Sequence, residues 1–408
     1  MGEEFLRIVD SGEAKEIIGI LFDECYSCGC EFVSLGDVVG RVLFDDFAAL
    51  VDFPPFDRAL KDGYCVKVED TFDASEEFPS RVRIVGSVEA GDFSSRSIGL
   101  GECVRISTGA CIPDGGEAVL MVEFSEEDGD GFVSLYSSLS PGEDIGFKGS
   151  DIKKGDLILR RGDVLSPSKV GVIASQGVDC VGVYKSLSVG VISTGNELVS
   201  VGEDLSFGGV YDINSVMLEG VLKSCGCNCG NLGIVVDDYD AIKSRILEGL
   251  SVYDLVVVSG GTSAGVGDNL RSILDELGVV SIHGISVQPG KPTLVGVVDG
   301  KIVVGLPGNP VSALIVFNVF ILPFIKGLIG LDTNDEKDYV CGVLNKRVHS
   351  PVGREQYQLV KLLDNSSVEP IFKDSGAIFS LVSADGYIKV DKNTEMLLEG
   401  ETVKVKLY

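Results

Sequence analysis

Glycine-rich turns and single carboxylates follow short apolar runs at several places in the 408-residue sequence. Residues 193–197 (STGNE) follow one such run, and residues 259–268 (SGGTSAGVGD) follow another and lead into a helical pattern. Glycine lets backbone amides approach an anion closely, hydroxyl groups add hydrogen-bond donors, and the start of a helix favours negative charge. These turns therefore predict a binding site for an anionic small molecule.

Two further turns are framed by proline. Residues 288–292 (QPGKP) hold Lys291 between two prolines, which should fix the direction of its side chain, although a solvated turn lysine is the alternative. Residues 305–312 (GLPGNPVS) open a long apolar helix. Neither these turns nor residues 259–268 contain the Gly-Lys-Ser/Thr of a P-loop or a G-x-G-x-x-G sequence, which argues against ordinary nucleotide hydrolysis and hydride transfer.

Carboxylates occur in the same kind of turn. Oxygen ligands of this kind suit Mg²⁺, which keeps several waters and bridges to substrate phosphates. The alternative for each carboxylate is a helix cap or a surface charge, and Asp237 lies where the N-cap of a helix containing Ile242 is expected. The candidate residues are Asp62, Asp151, Glu197, Asp237 and Asp268.

The formal net charge is −28, which disfavours binding to nucleic acid or to an anionic membrane surface. A phosphorylated ligand would be repelled as well, so it needs local lysines, helix N-termini or a metal ion. The N-terminus lacks the basic and apolar regions of a signal peptide, and the longest apolar stretch, residues 311–325, contains Asn318 and Pro323. We expect a cytoplasmic protein whose apolar stretch is a buried helix rather than a membrane span.

Eleven cysteines include two clusters, at residues 25–30 (CYSCGC) and 225–229 (CGCNC). Each cluster could supply three thiolates to zinc or an Fe–S centre. The alternative, which we favour because no fourth ligand lies nearby, is free thiols that serve as small apolar residues. Only two histidines are present, which excludes chemistry that needs several imidazoles.

The hydrophobic pattern predicts the elements that position these turns. Ala14, Ile17, Ile18 and Leu21 have the spacing of an amphipathic helix. Strand, turn and helix patterns alternate between residues 186 and 327, which predicts a doubly wound, three-layer α/β domain with a parallel sheet. We place a discontinuous N-terminal domain at residues 1–42 and 140–185, a β-rich domain at 43–139, the α/β domain at 186–327 and a C-terminal β domain at 331–408.

The turns, taken together, resemble the molybdopterin molybdenumtransferase family, the MoeA-type enzymes that include the E domain of gephyrin. Eight segments follow the family's order over nearly the whole chain: residues 55–64 (PFDRALKDGY), 105–113 (RISTGACIP), 149–155, 193–198, 211–215 (YDINS), 259–268, 289–292 and 305–312. The resemblance implies a four-domain homodimer whose active cleft combines domains of both subunits. It also implies a reaction that inserts molybdate into adenylylated molybdopterin, depends on Mg²⁺ and releases AMP.

The family's functional residues are carried onto this chain by the same segments. The resemblance assigns catalytic roles to Asp62, Thr108, Asp151, Glu197, Asp237 and Asp268, and Mg²⁺ to Asp62, Glu197 and Asp268. It assigns substrate binding to Gly260, Gly261, Ser263, Lys291, Pro307, Pro310, Ser312 and Arg354, with Ser375 beside Arg354 in a looser alignment.

Gln288 departs from the family, which often has a lysine at this position. The missing charge should weaken oxyanion capture unless Arg354 or a nearby residue compensates, or it marks a preference for tungstate. Two other functions stay open: a molybdopterin adenylyltransferase, which is also the candidate partner enzyme, and a non-catalytic scaffold like gephyrin. The adenylyltransferase would not need the flanking β domains or the Asp62 turn.

Overall fold

The computed structural model describes residues 8–92, 96–261, 267–333 and 339–408 and divides the chain into two compact units. The larger unit comprises the residues up to Phe44 together with Val181–Tyr408. The smaller unit is Asp45–Cys180.

The larger unit begins with a helix that packs on its main core. Helix α1 (Ser11–Cys25) starts at Asp10, whose carboxylate accepts a hydrogen bond from the Glu13 backbone amide at 2.9 Å. Ala14 and Ile18 are buried in the core and Ile17 and Leu21 are partly buried against it, as the helical spacing predicts. Two short strands, β1 (Cys30–Ser34) and β12 (Cys180–Tyr184), pair with each other.

A six-stranded sheet forms the centre of the larger unit. Its strand order is β16-β13-β17-β21-β20-β18; β16, β13, β17 and β21 run parallel, β20 pairs antiparallel with β21, and β18 pairs antiparallel with β20 at the edge. Its elements are β13 (Ser188–Thr194), α3 (Asn214–Ser224), β16 (Asn228–Val235), α4 (Tyr239–Val252), β17 (Leu255–Ser259), α5 (Gly267–Leu277), β18 (Val279–His283), β20 (Leu294–Val298) and β21 (Lys301–Leu306). The short strands β14 (Leu198–Val199) and β15 (Val210–Tyr211) pair beside it.

Alternate residues of the central strands face two separate cores. Val191 and Val257 belong to the core that includes α1, α3 and the long apolar helix, whereas Ile192 and Val258 belong to the core formed with α4 and α5. Helices therefore cover both faces of the sheet, and the predicted doubly wound α/β fold is confirmed. The predicted N-cap at Asp237 is wrong: Asp238 caps α4 and accepts a hydrogen bond from the Ala241 amide at 3.0 Å.

The long apolar helix consists of α6 (Pro310–Val316), a π-helical turn (Phe317–Ile321) and α7 (Leu322–Leu328). By length and composition the segment Pro310–Leu328 could cross a membrane, but 67% of its most apolar window is buried inside the protein. Such burial is typical of a core helix.

The C-terminal part of the larger unit is a β domain. Strands β24 (Glu355–Leu363), β25 (Ser367–Pro370), β22 (Tyr339–Leu344), β28 (Thr402–Leu407) and β26 (Gly386–Val390) pair in that order, and β26 also pairs with β24, which closes the sheet. β19 (Val287–Gln288), from the α/β domain, adds in parallel to β24 and joins the two domains. The remaining elements are β23 (Val348–His349), the 3₁₀ turn Asp364–Ser366, α8 (Phe379–Ser383) and β27 (Met396–Leu397).

The smaller unit is mostly β-structure. A six-stranded sheet in the order β7-β4-β6-β5-β9-β8 dominates it. Its elements are β2 (Phe47–Ala48), β3 (Arg58–Ala59), β4 (Gly63–Val66), the 3₁₀ turn Val68–Thr71, β5 (Ser80–Val88), β6 (Glu102–Ile106), β7 (Ala118–Met121), the 3₁₀ turn Val122–Phe124, β8 (Ser125–Glu127), β9 (Phe132–Leu135), β10 (Ile145–Gly146), β11 (Leu157–Leu159) and α2 (Pro167–Ser175).

Candidate functional site

A cavity of about 790 Å³, the strand-end cavity, lies where four neighbouring parallel strands end. Ligands of open α/β sheets bind at this edge, next to the strand where the order of the sheet reverses, which here is β13. Much of its lining comes from the last residues of each strand and from the turn that follows: Ser193, Thr194 and Glu197 (β13), Asp237 (β16), Ser259, Gly260 and Gly261 (β17), and Pro307, Gly308, Asn309 and Pro310 (β21).

Glycine is required in the turn after β17. Gly260 and Gly261 have φ angles of +95° and +64°, a region that other residues rarely adopt. A Cβ atom on Gly260 would lie 2.3 Å from the Thr194 carbonyl oxygen. The turn therefore keeps its backbone close to the end of β13. Two other predicted residues belong to this part of the chain. Ser263 lies outside the described residues, and Asp268 is the second residue of α5, with a side chain that the structure does not describe.

Asn214, the first residue of α3, ties two turns of the cavity together. Its Nδ2 donates hydrogen bonds to the Ser259 Oγ and to the Gly308 carbonyl oxygen, both at 2.8 Å. The side chain is buried, with 9% of its surface exposed. The turns after β17 and β21 are thereby held at a fixed separation.

Two carboxylates that line the strand-end cavity accept no hydrogen bond within the described residues. Glu197 is exposed, and Asp237 is half-buried, with an Oδ1 atom that has no hydrogen-bond partner among the described residues. Asp212 also lines the cavity, but it is committed to the start of α3, where it accepts hydrogen bonds from the Ser215 amide at 3.2 Å and hydroxyl at 2.6 Å. Glu197 and Asp237 are therefore the carboxylates available to a cation or a donor on the ligand.

A second cavity of about 390 Å³, the cationic cavity, lies between the α/β domain and the C-terminal β domain. Lys291, Ser312 and Arg354, three of the predicted binding residues, line it together with Ser375. Within the described part of the chain, Arg354 forms no ion pair, so its charge is available to an anion. Gln288 lines the same cavity and stands beside Gln356 in the β19–β24 pairing.

The two cavities adjoin. Pro292 lines both, and neighbouring residues divide between them: Pro310 lines the strand-end cavity and Ser312 the cationic cavity, and Gly376 and Ser375 divide in the same way. Asn309 fixes this border by donating a hydrogen bond from Nδ2 to the Ser375 Oγ at 2.9 Å. The two cavities therefore provide adjoining spaces for a large ligand and a small anion that react with each other.

Three predicted residues belong to the smaller unit. The backbone amide and the hydroxyl of Thr108 donate to Asp62 Oδ1 at 2.6 and 2.8 Å, and these hydrogen bonds hold the pKa of Asp62 below its usual range. Asp62 is thus kept ionised. Asp151 is exposed, and its backbone amide donates to the Phe53 carbonyl oxygen at 3.2 Å.

The cysteine clusters carry free thiols. Within the described residues no group of three or more His, Cys, Asp or Glu side chains has a geometry that could hold a metal ion. Cys227 is buried, and burial raises its pKa to about 12, so it is protonated at neutral pH.

Some lining residues had no role in the sequence analysis. Asn214 lies in the 211–215 segment that supported the family resemblance. Its position at the start of a helix, shortly after a strand, could have identified it as a site residue. Gln356, which is 8% exposed and leaves Oε1 without a partner among the described residues, and Lys373 line the cationic cavity. Neither carries a local sequence signal, because both depend on the packing of the C-terminal β domain.

Three family models match successive parts of the chain. The MoeA N-terminal region (domains I and II) matches residues 12–177, a molybdopterin binding domain matches residues 190–327, and the MoeA C-terminal region (domain IV) matches residues 342–408.

Individual relatives are similar over nearly the whole chain. A molybdopterin biosynthesis protein of Methanocaldococcus jannaschii is 36% identical, over 92% of this chain and 91% of the relative. The molybdopterin molybdenumtransferase of Haemophilus influenzae is 30% identical, over 93% and 94%. The crystal structure of a molybdopterin biosynthesis MoeA protein from Pyrococcus horikoshii matches with a TM-score of 0.84 and 38% identity, covering 98% of this chain and 99% of that one.

Proposed function

Since this chain belongs to the MoeA family and is an enzyme of molybdenum cofactor biosynthesis, a molybdopterin molybdenumtransferase, we propose how its two cavities divide the reaction. The strand-end cavity binds adenylylated molybdopterin, and the cationic cavity binds molybdate. The observation that carries this assignment is the contact between a large cavity lined by the glycine turn after β17 and a smaller cavity lined by Lys291 and Arg354.

Charge and hydrogen bonding support the assignment of the molybdate. The cationic cavity is lined by three cations, Lys291, Arg354 and Lys373, and by one carboxylate, Asp374, together with the Ser312 hydroxyl. The two net positive charges of this lining offset the two negative charges of a tetrahedral dianion. Bringing the oxyanion next to the dithiolene sulfurs of the neighbouring ligand converts an encounter in solution into a reaction between bound groups. Lys291 and Arg354 act mainly by orientation in this mechanism.

The phosphate groups of the adenylylated ligand would lie at the glycine turn after β17, where backbone amides can approach them. A Mg²⁺ ion fits this environment, because Glu197 and the unpartnered Oδ1 of Asp237 offer two oxygen ligands and substrate phosphates can supply others. When bound, Mg²⁺ would neutralise charge on the phosphates as AMP leaves. We keep Asp62 and Asp268 as further candidate ligands on the family resemblance, and Thr108 and Asp151 as candidate catalytic residues.

The test is molybdate-dependent release of AMP by the purified protein supplied with adenylylated molybdopterin and Mg²⁺. Release that rises with molybdate, and falls at least tenfold in Arg354→Met at subsaturating molybdate, supports the proposal. Exposed Arg347 provides the matched control, because Arg347→Met removes the same charge from the C-terminal domain away from both cavities. Failure to release AMP with either molybdate or tungstate would refute the transfer reaction, and higher turnover with tungstate would identify that oxyanion as the substrate.

We also propose a cytoplasmic homodimer, on the family resemblance, that receives its substrate from a molybdopterin adenylyltransferase. Light scattering after size-exclusion chromatography tests the dimer, because a monomer has a mass of 43.2 kDa. A single species at the monomer mass at micromolar concentration would refute it.

A further inference from the structure

One segment of the C-terminal domain, residues 373–379, borders three cavities. Beside the strand-end and cationic cavities there is a third, the outer depression, a wide and shallow space of about 540 Å³. The segment's residues divide between them: Ser375 lines the cationic cavity, Gly376 and Ile378 the strand-end cavity, Ala377 the outer depression, and Lys373 and Asp374 both the cationic cavity and the outer depression.

The outer depression leads to the cationic cavity. The two share four lining residues, Gln358, Ile371, Lys373 and Asp374. The strand-end cavity and the outer depression have no lining residue in common within the described part of the chain. A small anion can therefore approach the cationic cavity from solvent without crossing the space assigned to the adenylylated ligand.

Lys373 places a positive charge on this approach. Its Nζ lies 4.9 Å from the centroid of the Phe379 ring, a cation–π contact that restrains an otherwise exposed side chain. Across the described residues, Lys373 forms no ion pair with a carboxylate. Its ammonium group is therefore available to an incoming anion.

Lys373 also offsets the negative charge of its neighbour Asp374. The exposed Asp374 carboxylate lines the same two cavities, and no side-chain hydrogen bond to it is formed within the described residues. Without Lys373, the approach would carry a net negative charge in a protein whose net charge is already −28. At a separation of roughly 6 Å in water, one unit charge changes the affinity for a dianion by about tenfold at low ionic strength.

We propose that the outer depression is the entrance for the oxyanion, and that Lys373, restrained by Phe379, is a specificity-determining residue that draws a tetrahedral dianion into the cationic cavity while the adenylylated ligand occupies the strand-end cavity. The identity of the dianion rests on the proposed function. Lys373 also adds a positive charge to the cavity that Gln288 lines without one.

The experiment compares Lys373→Met, Lys373→Arg and Asp374→Asn in steady-state assays of AMP release at low ionic strength. Lys373→Met is expected to raise the KM for molybdate about tenfold, with kcat and the KM for adenylylated molybdopterin unchanged. Lys373→Arg should stay within twofold of the wild type, and Asp374→Asn should lower the KM for molybdate. The increase should shrink in 0.5 M salt, where the screening length falls to a few ångströms.

The matched control is Lys361→Met, which removes an exposed charge from β24 of the same domain and lines none of the three cavities. The proposal is overturned if Lys373→Met leaves the KM for molybdate within twofold of the wild type, if Lys361→Met gives the same increase, or if the KM values of both substrates rise together. Calorimetric titration with tungstate measures the same loss of affinity without turnover. An inactive wild type would thus refute the proposed function, whereas equal tungstate affinities of wild type and Lys373→Met would refute the entrance.

Discussion

Asn214→Ala tests whether one buried amide holds the strand-end cavity in shape. The substitution leaves the Gly308 carbonyl oxygen and the Ser259 Oγ without the donor that each has at 2.8 Å. A buried polar group that loses its partner costs about 1–3 kcal/mol. Two effects act in the other direction: alanine gains about 0.5 kcal/mol at a helical position, and the unpartnered Asn214 Oδ1 is removed. We expect a net loss of about 2 kcal/mol in the free energy of unfolding.

Urea unfolding followed by circular dichroism measures this loss, and AMP binding measures its effect on the site. Because the two turns would no longer be held together, the affinity for AMP should fall about tenfold, which corresponds to about 1.4 kcal/mol. Tungstate affinity should stay within twofold of the wild type, since Lys291 and Arg354 line the other cavity.

Asn228→Ala is the matched control, because Asn228 lies in the same domain with an exposed side chain. It should change the free energy of unfolding by less than about 0.5 kcal/mol. The reasoning fails if Asn214→Ala is as stable as this control, or if AMP and tungstate affinities fall by the same factor. The latter result would mean that the substitution perturbs both cavities through the fold rather than through the two turns.

Three further predictions concern single groups. Gly260→Ala should abolish AMP binding, measured by calorimetry, because its Cβ would lie 2.3 Å from the Thr194 carbonyl oxygen; unchanged binding would contradict the requirement for glycine. Thr108→Val should raise the pKa of Asp62 in an NMR titration by removing the hydroxyl donor, while the remaining backbone donor keeps the pKa below its usual range; an unaltered pKa would contradict this cause. Cys227 should not react with Ellman's reagent at pH 8 in the folded protein, since burial raises its pKa to about 12, whereas the four exposed cysteines should react; rapid modification of Cys227 would contradict its burial.

The α/β fold was predictable from the hydrophobic pattern, because the apolar runs of buried strands and the apolar stripes of helices are both local properties of the sequence. The apolar runs at residues 188–192 and 255–258 reflect strands covered on both faces, and the structure buries nearly every residue of the corresponding strands, Ser188–Thr194 and Leu255–Ser259. Helix boundaries were less certain, since Asp237 and Asp238 have the same chemistry and only backbone geometry decides which one caps α4. The turns of the strand-end cavity were predictable because the ends of parallel strands lie at one edge of a sheet.

The cationic cavity was less predictable because its wall comes from two domains. Lys291 was found through its flanking prolines, and Arg354 only through the family resemblance. Gln356 meets Gln288 through the β19–β24 pairing, and a one-residue change of register would place a different side chain there. Such a contact depends on tertiary structure and leaves no trace in local composition.

The net charge of −28 makes the placement of a few cations decisive for a substrate that is a dianion. Long-range attraction cannot concentrate such a ligand around this protein, so capture depends on charges within roughly a screening length, about 8–10 Å. Lys291 and Arg354 can stabilise the bound oxyanion, but neither lines the outer depression through which it would approach. Lys373 does, and it stands next to a carboxylate that would otherwise repel the ligand. An acidic enzyme of this kind therefore needs separate positive charges for capture and for binding, which is why loss of Lys373 should affect the KM for molybdate and leave kcat unchanged.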